Sequence, residues 1–351
     1  MHTTVGFTCA RYKLISVALF VGMALCAASC DTSDNHITRF VHANINCSDL
    51  VQSRNFYEML GFAAVLEGDA EVTAAFAAAL NMPPYTLSYV QMLSGDGSLI
   101  DLIEWKDPYD DSAPYSAVNH LGIARLTLQT ADLHADIITL SAQGVEFFSE
   151  PVTVDGPAGR KQFVVFKDPD GTIIELVESD AAQSAAACDS TITGIMSVNI
   201  NCSNYEQSRL FYENLGFSSV MEFEDNGSAE TAAAFGMPSY HVRGARMELR
   251  HAGPALSLLE WENPYDNSAP YAQLNHLGIA RIALRSTDLD ADITRLKAEG
   301  VAFFSDPVRP DGALSFMRVV FFKDPDGTVI ELVEMFPGFR RQVRPLAAGC
   351  P

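Results

Sequence analysis

The sequence predicts an α+β protein in which a strand–helix–strand unit occurs four times, arranged as two tandem copies. A repeat with an offset of about 156 residues divides the chain into these copies. Within each copy, an alternating strand followed by a capped helix occurs twice. An Asp-Pro-Asp-Gly turn at Asp168, and again at Asp324, is predicted to join two strands near the end of each copy. Each unit is therefore interpreted as a βαβββ element.

The two copies are most similar at Trp105–Arg125 and Trp261–Arg281, where 15 of 21 positions are identical. FYEMLGF at Phe56 likewise matches FYENLGF at Phe211. Each copy is about as long as one ordinary domain, roughly 140 residues. The predicted organisation is a signal peptide at 1–29, a tether at 30–37, a first domain at 38–178, a linker at 179–191, a second domain at 192–335 and a tail at 336–351.

Helix caps and glycine stops delimit the elements of the first copy. The first strand is predicted at Phe40–Asn46, and Ser48–Asp49 is predicted to cap a helix that Gly61 ends. The second unit begins with a strand at Gly122–Gln129, and Asp132 is predicted to start its helix. The apolar face of that helix consists of Leu133, Ile137 and Leu140, which correspond to Leu289, Ile293 and Leu296 in the second copy.

The N-terminal segment predicts export. Arg11 and Lys13 precede the uncharged run Leu14–Ala28, and small residues lead into Cys30. A cationic start, a short apolar core and small residues describe a secretory signal peptide, with an uncleaved anchor as the alternative. The last residues before Cys30 resemble a lipobox, whose cysteine is lipidated and becomes the new N-terminus. Asp31 resembles the signal for retention in the bacterial inner membrane, which predicts a lipid-anchored protein on the periplasmic side.

Composition restricts the partners of the chain. Hydrophobic residues make up 48% and charged residues 19%, so substantial cores are expected. The formal net charge is −21, which repels phosphate backbones and argues against nucleic-acid binding. The membrane is expected to be contacted through the lipid anchor only, and the expected partner is a small-molecule ligand or substrate. The oligomeric state stays open.

The cysteines of the exported body have two expected roles. Cys47 and Cys202 occupy matched positions in two predicted strands and are predicted to pack as small apolar residues. In an oxidising compartment, Cys188 in the linker and Cys350 near the C-terminus could form a disulfide.

The fourfold βαβββ pattern resembles the vicinal-oxygen-chelate (glyoxalase/bleomycin resistance/extradiol dioxygenase) superfamily. The resemblance covers about 38–178 and 192–335, with the FYE.LGF segment near the start of each copy and DPDGT.IELVE at its close. It implies that pairs of units curl their strands into two open cup-shaped mixed sheets, and that ligands or metals bind inside the cups. Whether a cup forms within one copy, across copies or between chains stays open.

Strand alternation predicts which side chains face a cup. In the first strand, His42, Asn44 and Asn46 share the polar face, whereas Val41, Ala43 and Ile45 share the apolar face under the helix. The other predicted groupings are Asp101 with Ile103 and Trp105, Arg125 with Thr127 and Gln129, and Glu175 with Ile173 and Val177.

The resemblance implies four metal-ligand positions in each copy. In the first copy they are His42, Asp101, Arg125 and Glu175; in the second they are Ser197, Ser257, Arg281 and Glu331. Arginine has no lone pair to offer a metal. The first copy is left with two interpretations: a divalent metal (Zn, Mn, Fe or Ni) on His42, Asp101 and Glu175, or an Arg125–Glu175 ion pair with His42 hydrogen-bonded to Asp101. The second copy is expected to bind no metal.

Two main function classes follow. The first is an enzyme of small oxygenated molecules (a lyase, isomerase or dioxygenase), with His42 or Glu175 as base and Arg125 stabilising an oxyanion. The alternative is a protein that binds or sequesters a small molecule, as bleomycin-resistance proteins do; a structural protein with empty cups is a third reading. On either functional reading, Glu175 is expected to matter more than Glu331.

The segment that joins the two units of each copy has two interpretations. Tyr109 and Tyr115 could line the mouth of a cup, or the segment only sets the geometry of the connection, which is favoured. His120 and His276 are predicted to be structural.

Overall fold

The computed structural model describes residues 35–156, 159–178, 191–251, 253–310 and 315–336. The predicted signal peptide, Cys30, Cys188, Cys350 and almost all of the predicted linker and tail lie outside these residues. None of the helices in the described part of the chain is long and apolar enough to cross a membrane.

The first copy contains two units. The first unit comprises β1 (Ile37–Asn46), α1 (Leu50–Met59), β2 (Ala63–Val72), α2 (Ala74–Ala79), β3 (Tyr85–Leu93) and β4 (Leu99–Asp107). The second unit comprises β5 (Gly122–Thr130), α3 (Leu133–Ala142), β6 (Val152–Gly156), β7 (Gly159–Lys167) and β8 (Ile173–Glu178).

The second copy repeats this order. The third unit comprises β9 (Ile192–Asn201), α4 (Tyr205–Asn214), β10 (Ser218–Asp225), α5 (Ala229–Ala234), β11 (His241–Glu248) and β12 (Ala255–Asn263). The fourth unit comprises β13 (Gly278–Ser286), α6 (Leu289–Ala298), β14 (Met317–Lys323) and β15 (Val329–Met335).

The predicted helix signals are confirmed at the first two long helices. The Asp49 side chain accepts hydrogen bonds from the backbone N–H groups of Val51 and Gln52, and α1 ends before Gly61, whose φ is 84°. The Asp132 side chain accepts from the backbone N–H of Ala135 at 2.9 Å, so α3 also begins as predicted. These carboxylates satisfy N–H groups that a helix start leaves without partners.

The strands form two mixed sheets, and each sheet takes one unit from each copy. The seven-stranded sheet has the order β14-β15-β13-β1-β4-β3-β2, and the eight-stranded sheet has the order β10-β11-β12-β9-β5-β8-β7-β6. At their centres, β1 pairs antiparallel with β13 and β5 pairs antiparallel with β9. The first unit therefore joins the fourth, and the second joins the third. The predicted α+β class with two cup-shaped sheets is confirmed. Each cup is formed by one unit from each copy, which answers the question that the sequence left open.

The largest apolar core lies on the helix-facing sides of both sheets. It includes Tyr57 of α1, Tyr212 of α4 and inward residues of the central strands, such as Leu126 and Leu284, all fully buried. Two smaller apolar clusters cover the opposite, concave faces, one for each sheet. Because the long helices pack on the other side of each sheet, the concave faces stay open to ligands.

Val41 departs from the predicted alternation. It packs against the concave-face cluster that contains Tyr85 and Tyr89, whereas Phe40 joins the helix-side core. The register between β1 and β13 shifts between Phe40 and His42. Such an irregularity inserts a residue and changes the face on which its neighbours lie.

The connecting segments of the two copies meet each other. The Tyr115 and Tyr271 rings stack with centroids 3.9 Å apart, and each hydroxyl accepts a hydrogen bond from the other tyrosine's backbone N–H. His120 and His276 stack on these rings. Neither Tyr109 nor Tyr115 lines the two cup cavities described below, so the contacts favour the connecting role.

Candidate functional site: two cups with different floors

The first cup is the concave face of the seven-stranded sheet and encloses a cavity of about 430 Å³. Its polar floor is made by His42 on β1, Asp101 on β4, Arg281 on β13 and Glu331 on β15. All four side chains are buried. Tyr85, Leu87, Tyr89, Val319 and Phe321 supply largely apolar walls.

Arg281 organises this floor. Its Nε donates to Glu331 Oε2 at 2.8 Å, and its Nη1 donates to Asn44 Oδ1 at 2.7 Å. Asn44 Nδ2 in turn donates to the backbone carbonyl of Asp101 at 3.0 Å. His42 Nε2 lies 3.9 Å from Glu331 Oε2, beyond hydrogen-bonding distance. The guanidinium is thus held by protein groups, whereas the imidazole is not.

His42 and Asp101 present unused hydrogen-bonding capacity to the cavity. Both ring nitrogens of His42 and Oδ1 of Asp101 are buried without a hydrogen-bond partner among the described residues. Unsatisfied buried polar atoms are costly, and they are rare in folded proteins. A ligand with hydrogen-bonding groups would satisfy them.

Burial changes the protonation of both groups. Desolvation lowers the pKa of His42 to about 4, outweighing the nearby Glu331 carboxylate. Desolvation also raises the pKa of Asp101 to about 7, although Arg281 opposes this rise. At neutral pH, therefore, the imidazole is neutral and the Asp101 carboxyl is divided between its two protonation states.

The second cup is the concave face of the eight-stranded sheet and encloses a cavity of about 420 Å³. Arg125 Nε donates to Glu175 Oε2 at 2.9 Å, and Thr127 Oγ1 donates to the same oxygen at 2.9 Å. In place of His42 and Asp101, this cup has Ser197 and Ser257, whose hydroxyls hydrogen-bond each other at 3.0 Å. The floor of the second cup therefore keeps the arginine–glutamate pair and lacks the imidazole and the second carboxyl.

The predicted site of the first copy is not assembled. His42 and Asp101 lie in the first cup, but Arg125 and Glu175 lie in the second. The Arg125–Glu175 ion pair is present, whereas the expected hydrogen bond between His42 and Asp101 is not. The four positions of the second copy are divided in the same way, because Glu331 and Arg281 face His42 in the first cup, whereas Ser197 and Ser257 lie in the second. The cause is the exchange of units between the sheets.

Asn44 is a floor residue whose role the sequence did not specify. Alternation places its side chain on the cup face, and its bond to the Asp101 carbonyl lies within its own unit. The bond from Arg281 depends on which strand of the other copy lies beside β1. Cys47 and Cys202 are buried free thiols, as predicted, and burial raises the pKa of both.

Comparison with known families agrees with this architecture. The model of the Glyoxalase/Bleomycin resistance protein/Dioxygenase superfamily matches residues 39–176 and 194–332. The chain belongs to this superfamily. A search of curated proteins gave no significant match.

Two solved structures have a fold similar to that of this chain. Glyoxalase I from Zea mays has a TM-score of 0.57 and 17% identity, with 85% of this chain and 92% of that chain covered. A proposed dioxygenase from Bacillus subtilis has a TM-score of 0.55 and 14% identity, with 87% of each chain covered. At these identities the likeness concerns the fold alone.

The floors do not fit the divalent metal that superfamily members commonly bind. In the first cup the fourth ligand position is Arg281, and its Nε bonds the Glu331 carboxylate that would complete the site. The other three floor groups are His42, Asp101 and Glu331, and the Glu331 oxygen nearest His42 already accepts from Arg281. A fixed guanidinium within this set opposes the charge of a divalent cation. Among the described residues there is no group of three or more His, Cys, Asp or Glu suited to a metal. The predicted set of His42, Asp101 and Glu175 is divided between two sheets.

Proposed function

We propose that the first cup binds a small oxygenated molecule and moves a proton on it without a metal, as a lyase or isomerase does. One observation carries this proposal: His42 and Asp101 are buried acid–base groups with unpartnered atoms beside a cavity. Superfamily membership and the fold shared with glyoxalase I support it by analogy. The dioxygenase alternative has less support from this donor set.

Each floor group has a role in such a reaction. Asp101, with a pKa of about 7, is suited to accept a proton from carbon near neutral pH and to return it. Neutral His42 can hydrogen-bond a ligand oxygen. Arg281 supplies a fixed positive charge near developing negative charge, and Glu331 and Asn44 hold it in place. The apolar walls exclude water from the small substrate.

The test is hydrogen exchange on a panel of small carbonyl compounds that carry an acidic C–H bond beside the carbonyl group. In D₂O, at least one compound is expected to exchange that hydrogen faster with the purified chain than in buffer, as followed by NMR. A chelator is expected to leave the rate unchanged, because no step uses a metal. Exchange that disappears on chelation, or a panel with no response, would contradict the proposal.

A binding function is the second candidate, and the floor of the second cup favours it. Ser197 and Ser257 provide no group that titrates near neutral pH. A ligand that binds without exchange or turnover would make the protein a small-molecule carrier of the bleomycin-resistance type.

We further propose that the protein is exported and anchored by a lipid on Cys30, on the periplasmic side of the inner membrane. This proposal is based on the sequence before Cys30, in which charged residues are followed by an apolar run and then by small residues. The Cys30→Ser variant is expected to leave the membrane fraction or to accumulate as an unprocessed precursor, as cell fractionation and immunoblotting would show. Cys26→Ser is the matched control and is expected to behave like the native protein. Unchanged processing and membrane partition of Cys30→Ser would refute the anchor.

A further inference from the structure

The floor of the second cup contains an unused cationic hydrogen-bond donor. Arg125 is only 7% exposed, yet its Nη1 is buried without a hydrogen-bond partner among the described residues. The matching Arg281 Nη1 in the first cup donates to Asn44 Oδ1 at 2.7 Å. The two arginines thus differ in one N–H group, although both bond a glutamate through Nε.

A single difference between the copies accounts for this. Two residues after each arginine, the first copy has Thr127 and the second has Ala283. The Asn199 side chain, which matches Asn44, donates its Nδ2 to Thr127 Oγ1 at 2.7 Å. Ala283 has no hydroxyl to bond Asn44, so Asn44 turns its oxygen to Arg281. Thr127 therefore withdraws the asparagine and leaves Arg125 Nη1 free for a ligand.

The rest of the second cup suits a small apolar anion. Arg125 Cζ lies 4.9 Å from the centre of the Phe235 ring, and Tyr240 and Trp261 continue an aromatic wall. Lys161 lines the same cavity and forms no ion pair within the described chain. Burial and the neighbouring Arg246 lower the pKa of Lys161, as expected for an amine in positive surroundings.

Three of the four acidic residues that line the cavity have partners, whereas the fourth, Asp155, forms no ion pair with a described residue. The Tyr240 hydroxyl donates to Asp225 at 2.6 Å, and His241 contacts Glu224 at 3.0 Å. Glu175 is held by Arg125 and Thr127. The cationic groups that line the cavity are Arg125, Lys161 and Arg246, of which Arg246 is paired with Glu248 through its Nε. Among them, Arg125 has a buried N–H group, Nη1, without a partner among the described residues. A charge-assisted hydrogen bond to a buried guanidinium is stronger than one to a neutral donor.

We propose that the second cup is a binding site for a small aromatic monocarboxylate, whose carboxylate accepts a hydrogen bond from Arg125 Nη1 while its ring packs on Phe235 and Trp261. A carboxylate fits better than a phosphate, because the Glu175 carboxylate beside Arg125 opposes a dianion. This site is separate from the proton-transfer site of the first cup. The two cups thereby differ in kind: the first offers acid–base groups, and the second offers a cationic donor.

The test measures binding of phenylacetate to the purified full-length chain by calorimetry, with phenylacetamide as the neutral analogue and inorganic phosphate as the other anion. Phenylacetate is expected to bind at least about tenfold more tightly than either comparison compound, which is about 1.4 kcal/mol. Equal affinity for the amide, or preference for phosphate, would overturn the proposal.

The variant Thr127→Ala tests the cause without removing the arginine. It frees Asn199 to accept from Arg125 Nη1, as Asn44 does in the first cup, so phenylacetate affinity is expected to fall about tenfold. The reciprocal control, Ala283→Thr, changes the first cup and is expected to leave phenylacetate affinity unchanged. Unchanged affinity in Thr127→Ala, with the fold verified by circular dichroism, would overturn the proposed role of Nη1. Asp101→Asn is expected to leave phenylacetate binding intact, so failure of the first-cup proposal is distinguishable.

Discussion

Cutting the chain within 179–191 is expected to leave the two copies associated, whereas either copy made alone is expected to lack both cups. The reason is the pairing of β1 with β13 and of β5 with β9, which places residues from both copies at the centre of each sheet. Separating the copies would expose two long strand edges and the apolar residues beside them, and such edges promote aggregation.

An inserted protease site in the linker provides the measurement. After cleavage, size-exclusion chromatography under native conditions is expected to show one particle with the mass of the intact chain, and denaturing electrophoresis two fragments of similar size. Residues 38–178 alone are expected to self-associate or aggregate, and co-expression with 192–336 is expected to restore the native near-ultraviolet circular dichroism. Two separate, folded monomeric fragments would show that the sheets do not exchange units.

Replacing Asp101 by asparagine is expected to reduce proton exchange by about 10²- to 10⁴-fold, the usual contribution of a positioned acid–base group. Asparagine keeps the size of the side chain but cannot take a proton. The matched control is Ser257→Ala, at the equivalent position of the second cup, which is expected to retain the native rate.

Asp101→Asn is also expected to melt at a higher temperature than the native protein above pH 7. The folded-state pKa of Asp101 is raised from 3.8 to about 7, so its ionisation costs stability progressively as the pH rises through that range. Native exchange in this variant would rule out Asp101 as the base.

The pH dependence distinguishes the two buried glutamates. The native rate is expected to rise with pH around a midpoint of about 7, as Asp101 loses its proton. Glu331 raises and Arg281 lowers the pKa of Asp101, so Glu331→Gln is expected to move this midpoint to lower pH. Both variants disturb a buried ion pair, so each is expected to lower the free energy of unfolding by on the order of 3 kcal/mol. Glu175→Gln is expected to leave the midpoint of the pH dependence unchanged. A shift in Glu175→Gln alone would assign the reaction to the second cup.

The helix boundaries were predictable because they depend on residues close to them in the sequence. Asp49 and Asp132 cap helices through their own side chains, and Gly61 occupies a left-handed conformation that favours glycine. The cup faces of β4, β5 and β8 followed from alternation. Val41 did not, because the irregularity in β1 arises from its pairing with β13, which the sequence of β1 alone does not reveal.

The sequence predicted which residues form the cup floors, but not which of them share a cup. The four floor positions of each copy were identified, but β1 could pair with any of the similar strands β5, β9 and β13 without changing its own pattern. Apolar faces of four related units are interchangeable in sequence, and the choice among them is made by tertiary packing. The contacts of the two arginines depend on that choice, because Asn44 on β1 bonds Arg281 on β13, whereas Asn199 on β9 bonds Thr127 on β5.

The exchange of units between the copies also bears on how the two cups came to differ. In a symmetric dimer of identical copies, one mutation appears twice and alters both sites together. Once the copies are joined in a single gene, a change in the first or fourth unit alters only the first cup, and a change in the second or third alters only the second. Fusion therefore releases the two sites from inheriting the same change, so each can be selected for its own ligand.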